Sequence, residues 1–322
     1  MLEYIPTNTD NAKLSINRKR QEYSDTCLIY DSLLQNPTNN MTESELKMYK
    51  QILVDVPRTM TEYKLFTYDK IRKMLLRILY VWSKRHPASG YVQGFNDLLT
   101  PFVSVFITNY IEIDVNTMNI SEEDLNKISS SEFEELEADS YWCFKKMMDK
   151  IQTNYINGQP GLQAMLEKIQ EIIKLVDKSL LEKINKFDLK FIEFAFRWIN
   201  CYLMREFNLK LIIRLWDTYF SMDDAFNTFH LFVCACLLLN FSDQIKKMNE
   251  YQEIIMFLQK MPLDNWNLDD IEILLAKSYQ IYNLYGNILS TNKNNNKNIN
   301  TIKNTNVKQS SIINSVKSTN NN

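Results

Sequence analysis

Two short stretches of this 322-residue chain carry side chains that could do chemistry together. The first is Ile52-Leu-Val-Asp55-Val-Pro57-Arg58-Thr59. Pro57 fixes φ at the entry to Arg58, and Asp55 lies three residues earlier, near enough to orient a guanidinium by a charge-assisted hydrogen bond. The second is Tyr91-Val-Gln93-Gly94-Phe95-Asn96-Asp97-Leu98, which follows Ser89-Gly90 and leads into an apolar run ending at Phe106. Gly94 lets a backbone approach closely, and Gln93 beside it offers both a donor and an acceptor, which is what positioning a nucleophilic water demands. Taken alone, each stretch has a plainer account: a solvated surface arginine, and a glutamine bonded to local backbone at a helix start.

These residues must be held by helices. Only five glycines occur, four of them as the close pairs Gly90 with Gly94 and Gly158 with Gly161, leaving long glycine-free stretches suited to helix. Between Asp69 and Arg85, Ile71, Met74, Leu75, Ile78, Leu79 and Trp82 recur at three- and four-residue steps, the period of one helical face, and Pro87 ends that helix. Similar stripes occur at Phe144, Met147, Met148, Ile151 and Tyr155, at Phe191, Phe194, Ala195, Trp198 and Tyr202, and at Ile271, Leu274, Leu275, Tyr279 and Tyr282. Thr42 with Glu45, and Ser121 with Asp124 as a near variant, read as capping boxes. No strand-like alternation of comparable length competes, so the expected fold is all-α, with helices nearly continuous from Leu14 to about Tyr285.

Composition narrows the function. A formal charge of −2 gives no concentrated basic surface for nucleic acid. Two histidines, no Cys-x-x-Cys pair and five scattered cysteines leave a zinc site without ligands and point to reduced, buried thiols. The start lacks a signal-peptide pattern, and the longest apolar stretch, Leu231 to Leu239, is far short of the roughly 20 residues that span a bilayer. The acid-rich segment Glu112–Asp139 reads as a solvated surface excursion with one or two short helices. Beyond Asn287 the chain turns to Asn, Lys, Ser and Thr, too polar to offset the entropy of folding. The expected organisation is a domain over 1–286 and a disordered tail over 287–322, whose five lysines could meet anionic lipid but read better as a solvated appendage.

In this order and at this separation, the two stretches resemble the paired motifs of the TBC domain, I-x-x-D-x-x-R followed by Y-x-Q-G. The likeness continues through Leu136-Glu-Ala-Asp-Ser-Tyr-Trp142-Cys-Phe, Arg197-Trp198, Met204-Arg205-Glu206-Phe207 and Ile213-Arg214-Leu215-Trp216-Asp217. His86-Pro-Ala-Ser-Gly-Tyr91-Val-Gln-Gly and Gln159-Pro-Gly161 are most similar to a branch of that family associated with the Golgi. The resemblance implies a V-shaped, two-lobed helical domain that grips the switch regions of a GTP-bound Rab GTPase. It makes Arg58 an arginine finger and Gln93 a glutamine finger, with Asp55, Thr59, Tyr91, Gly94 and Asn96 in support. Its family-matching Trp142, Arg197, Trp198, Arg205, Glu206, Trp216 and Asp217 read instead as architecture, because aromatics at helical spacing fill cores and buried Arg–acid pairs orient helices.

Hydrolysis of GTP develops charge on the γ-phosphoryl and bridging oxygens, which a planar cation supplied in trans stabilises, while a carboxamide aligns the water. The chain has no Gly-x-x-x-x-Gly-Lys-[Ser/Thr] loop, so the expectation is that it carries no cofactor of its own and that the partner brings GTP and Mg²⁺. The resemblance thus implies a regulator working in the cytoplasm, peripheral at Golgi or vesicle membranes; the rival reading is a non-catalytic helical scaffold that binds a Rab. Two departures stand out. Arg58-Thr59-Met60-Thr61 lacks the proline that commonly follows the finger, which predicts a less rigid turn. The likeness also begins near Tyr4-Ile5-Pro6, with no counterpart of the family's preceding helix, which predicts exposed apolar surface or an upstream extension.

Overall fold

The computed structural model describes residues 8–35, 41–156 and 158–286, and every regular element among them is helical. In order these are α1 (Thr9–Gln35), α2 (Glu43–Asp55), α3 (Asp69–Arg85), α4 (Phe95–Ile107), the short α5 (Glu122–Asn126) and the long α6 (Ser130–Ile151). A 3-10 turn, Gln152–Tyr155, leads to α7 (Pro160–Val176), α8 (Lys178–Lys186), α9 (Ile192–Asn200), α10 (Leu209–Ser221), α11 (Phe229–Asn240), α12 (Ser242–Lys247) and α13 (Tyr251–Gln259). A last helix, α14, covers residues 268–286. The Tyr4-Ile5-Pro6 segment and the tail 287–322 lie outside the described residues.

The helices form two groups. In the first, α1, α3 and α4 pack on α6, and α2 packs on α3; in the second, α7, α9 and α11 pack on one another, with α8, α12 and α13 outside them. The groups meet where α4 touches α10, with the Phe102 and Trp216 rings 6.2 Å apart. Local chemistry sets the helix ends. The Thr42–Glu45 capping box opens α2, and the Ser121 side chain accepts from Asp124 N–H at the head of α5. At the end of α3 the His86 imidazole stacks on Trp82 and donates from Nδ1 to the Trp82 carbonyl at 2.7 Å. All six apolar residues of the α3 stripe are buried, whereas the α14 stripe is buried only through Leu275, and Tyr279 is half-exposed.

The acid-rich segment Glu112–Asp139 is the solvated excursion expected only in part: Glu112, Asp114, Glu122, Glu123, Glu132 and Glu134 are exposed around the short α5, but the segment is pinned by buried residues and its far end is not solvated. A second capping box, Ser129 with Glu132, starts α6 inside it. Met118, Ile120, Leu125 and Ile128 are buried, and Tyr68 donates its hydroxyl to the Ile120 carbonyl at 2.7 Å. Its last acids, Glu135, Glu137 and Asp139, meet cations from distant helices. Glu137 is buried and takes a bidentate pair from Arg77 on α3 (2.6 and 2.5 Å) and the Tyr23 hydroxyl from α1 at 2.7 Å. Burial raises the Glu137 carboxyl above its ordinary value and the Arg77 charge opposes that rise, so the pair is held by geometry as well as charge. Arg20 on α1 bonds Asp139 at 3.1 and 2.6 Å and pairs with Glu135 at 2.5 Å.

In the second group α11 is apolar on all sides and almost wholly buried, the pattern of a helix at the centre of a core. His230 sits in it, with Nδ1 2.9 Å from the Tyr219 hydroxyl and Nε2 3.2 Å from the Trp198 carbonyl. Burial pushes the imidazole down to about 3. The folded state therefore holds a neutral ring while the unfolded chain protonates near pH 6.5. Stability is full above that pH and falls as pH drops toward 3, by about 1.4 kcal/mol per unit inside the window. Urea denaturation should register a loss of about 2 kcal/mol between pH 7 and pH 5 from this residue, visible as a shallower pH slope in His230→Gln than in the parent.

Candidate functional site

The end of α2 delivers Arg58. After Asp55 the chain tightens into a 3-10 turn, Val56–Arg58, with Pro57 inside it. Asp55 is buried, while the Arg58 side chain is 53% exposed and ion-paired through Nη2 to Asp55 Oδ1. Thr59, fully buried, donates its hydroxyl to the Asp55 carbonyl at 3.0 Å and accepts from Asn96 Nδ2 at 3.0 Å. Met60 follows in the left-handed region at φ 42°, with its sulfur 2.9 Å from the Thr100 hydroxyl. Thr61, where a proline is expected, is exposed; the buried Thr59 and Met60 hold the turn instead.

The head of α4 delivers Gln93. Gly94 is the N-cap at φ 108°, a conformation that side chains with a Cβ rarely adopt. Gln93 is exposed. Its carbonyl accepts from Asn200 Nδ2 at 3.0 Å, and the Gly94 N–H donates to Asn96 Oδ1 at 3.1 Å. Two residues earlier, the Tyr91 hydroxyl donates to Asp55 Oδ2 at 2.8 Å and lies 3.2 Å from Asn96 Oδ1. Burial, then the Asp55 carboxylate, drive the Tyr91 phenol well above its ordinary value, so it stays a proton donor.

One buried network therefore serves both side chains. Asp55 receives Arg58 and Tyr91, and Asn96 receives Gly94 and gives to Thr59 and, at 3.1 Å, to Asp97 Oδ1. Asp97 in turn accepts from Arg205 Nε at 2.7 Å. Burial raises the Asp97 carboxyl and Arg205 pulls it back. Above the network lies an open groove of about 330 Å³, lined by Arg58, Gln93, Arg205, Met204, Glu62 and Asp97 among others. Arg58 and Gln93, 35 positions apart in the sequence, thus reach one groove. A larger hollow of about 520 Å³ between α7, α11 and α14 contains neither. The smaller one is the candidate site, because two cations and a carboxamide converge there. Among the described residues no three His, Cys, Asp or Glu side chains are grouped to hold a metal ion.

All seven residues singled out in the sequence, Arg58, Gln93, Asp55, Thr59, Tyr91, Gly94 and Asn96, fall in this network or on this groove. Arg205 keeps the Arg–acid pairing the sequence assigned it, on Asp97, but it also lines the groove. Its side chain is 45% exposed and faces the groove, whereas its neighbour Glu206 turns inward to Arg197 at 2.7 Å. Left-handed residues at Tyr202 and Leu203 swing the chain so that Met204 and Arg205 reach the groove; no residue spacing announces that. Asn200 and Glu62 were likewise missed.

An all-helical domain that presents an arginine and a glutamine from one buried network is the arrangement expected of a TBC domain. Residues 7–246 match the Rab-GTPase-TBC domain, and the chain belongs to that family. It is 40% identical over 289 residues to the GTPase-activating protein gyp1 of Schizosaccharomyces pombe, covering 88% of this chain and 54% of that protein. It is 38% identical over 278 residues to human TBC1 domain family member 22B, covering 86% of this chain and 53% of that one. The chain thus spans about half the length of these curated relatives. It also superposes on the crystal structure of the Ypt/Rab-GAP domain of Gyp1p with a TM-score of 0.80, 39% identity, and coverage of 88% of this chain and 86% of that one.

A Cβ added to Gly94 would come within 2.8 Å of Asn200 Nδ2 and 2.9 Å of Cys201 Sγ, on top of the strained φ. Gly94→Ala should therefore destabilise the domain by about 1–3 kcal/mol, read as a lowered denaturation midpoint with an unchanged m-value. Gly158→Ala, at φ 82° but with open space around it, carries only the backbone part and should cost less.

Proposed function

We propose that this domain accelerates GTP hydrolysis by a GTP-bound Rab-family GTPase, supplying Arg58 and Gln93 in trans. The observation that supports this most directly is that both side chains project into one groove from backbones pinned by the same buried Asp55–Tyr91–Asn96 network. Arg58 uses one terminal nitrogen on Asp55, leaving further N–H donors for the oxygens on which charge grows as the γ-phosphoryl departs. Gln93 presents a carboxamide, one group to accept from the attacking water and one to bond a phosphoryl oxygen. Electrostatic stabilisation and positioning are all that phosphoryl transfer to water requires of the activator, with no tuned general base. GTP and Mg²⁺ come with the partner, since the chain has no phosphate loop.

Among the described residues no helix is long and apolar enough to cross a membrane. We place the domain's work in the cytoplasm at the surface of Golgi or vesicle membranes, a reading supported by the branch resemblance.

Single-turnover hydrolysis across a panel of Rab GTPases tests the proposal. Arg58→Ala should lose on the order of 10³-fold or more of the acceleration. Arg58→Lys should recover only a small part, because an ammonium cannot reproduce the planar fork. Gln93→Ala should lose on the order of 10²-fold, the scale set by loss of one positioning group. Gln93 is exposed, so Gln93→Ala should melt with the parent; Arg58→Ala removes the cation from the buried Asp55 carboxylate and should melt lower, so rates are compared at a temperature where every variant is folded. Variants as active as the parent on every responsive Rab would remove the finger assignment.

A further inference from the structure

The peptide unit between Gln93 and Gly94 is gripped at both ends. Its N–H donates to Asn96 on α4, and its carbonyl accepts from Asn200 at the end of α9, 107 residues further along the chain. Asn200 is 6% exposed, and its Oδ1 is buried without a partner among the described residues. Turning the amide over would set its oxygen against the Gln93 carbonyl, so the one acceptable orientation leaves an acceptor unsatisfied. The residue is itself anchored: its backbone carbonyl accepts from the Tyr155 hydroxyl at 2.8 Å, at the turn between α6 and α7. The missing Cβ of Gly94 is what admits the Asn200 amide to this position.

Arg58 is supported differently. Its direct partner, Asp55, and the residues around that partner, Thr59, Tyr91 and Asn96, all belong to the first group of helices. Of the two, Gln93 takes a direct backbone bond from the second group, whereas the Arg205–Asp97 bond reaches Arg58 only through Asn96 and Thr59.

We propose that Asn200 is a positioning residue for Gln93: by holding the Gln93 carbonyl from the second group of helices, it sets the direction in which the Gln93 carboxamide enters the groove. The catalytic consequence rests on the GTPase-activating reading; the positioning does not. Asn200 touches neither nucleotide nor water, and its effect passes through Gln93 alone.

Two measurements separate the claims, using Asn200→Ala and the near-isosteric Asn200→Asp, which replaces the donor by an acceptor. Gln93–Gly94 is the single Gln–Gly step in the sequence, so protein labelled with ¹³C-carbonyl glutamine and ¹⁵N-glycine gives one carbonyl–amide correlation. Loss of the donor should move that carbonyl resonance upfield in both variants, and a carbonyl that stays put overturns the positioning role whatever any GTPase does. In single-turnover hydrolysis, Asn200→Ala should lower the rate on the order of 10- to 100-fold, the scale of a displaced reacting group. Affinity for the Rab loaded with a non-hydrolysable GTP analogue should be unchanged. The loss should vanish in a Gln93→Ala background and persist in full in an Arg58→Ala background. Equal losses in all backgrounds, or a loss of affinity in place of rate, overturn the inference. A displaced carbonyl in a protein whose parent accelerates no Rab overturns the GTPase-activating reading and leaves the positioning role standing.

Discussion

The side chain on which the site depends is the carboxamide of Asn96. It is buried, and it has bonding groups of both kinds, so it can accept from the Gly94 N–H and give to Thr59 and Asp97 at once. An aspartate there would offer no donor to Thr59, and a leucine would strand three polar groups away from water. Because Thr59 belongs to the arginine turn and Gly94 to the glutamine turn, this one amide couples the two loops within the first group of helices. Asp55 reinforces it from the other side, taking Arg58 on one oxygen and Tyr91 on the other. Such a network stabilises only when every member is satisfied, and these residues are therefore tied to one another more closely than to the helices that carry them.

Most of the fold was legible because helix periodicity and caps are local. The α3 stripe, the Thr42–Glu45 box and the Pro87 stop each need no more than a few neighbouring residues to be read. The far end of the acid-rich segment was misread for the opposite reason. Glu137 and Asp139 look like surface acids until Arg77 and Arg20, some 60 and 119 positions away, are brought against them. Composition cannot distinguish a solvated carboxylate from one paired across a helix interface.

The site divides the same way. Asp55 and Arg58, or Gln93 and Gly94, are near neighbours whose chemistry can be argued from spacing. Arg205 and Glu206 are adjacent, of opposite charge and alike in sequence terms, yet the left-handed turn at Tyr202–Leu203 sends one to the groove and the other to Arg197. Positive φ at non-glycine residues depends on what surrounds them, and the surroundings here, the Phe226 and His230 rings against Tyr202, come from further along the chain.

The pairing of Arg58 with Asp55 bears on how long a complex needs to last. An arginine side chain free in solvent gives up about 2 kcal/mol of rotamer freedom when it is fixed, and here the carboxylate has already restricted it before any partner arrives. Less of the association energy is then consumed in ordering the cation, so strong acceleration does not demand a tight, slowly dissociating complex. Under the GTPase-activating function proposed above, release of one GTPase and engagement of the next would gain from that separation, since brief encounters would suffice.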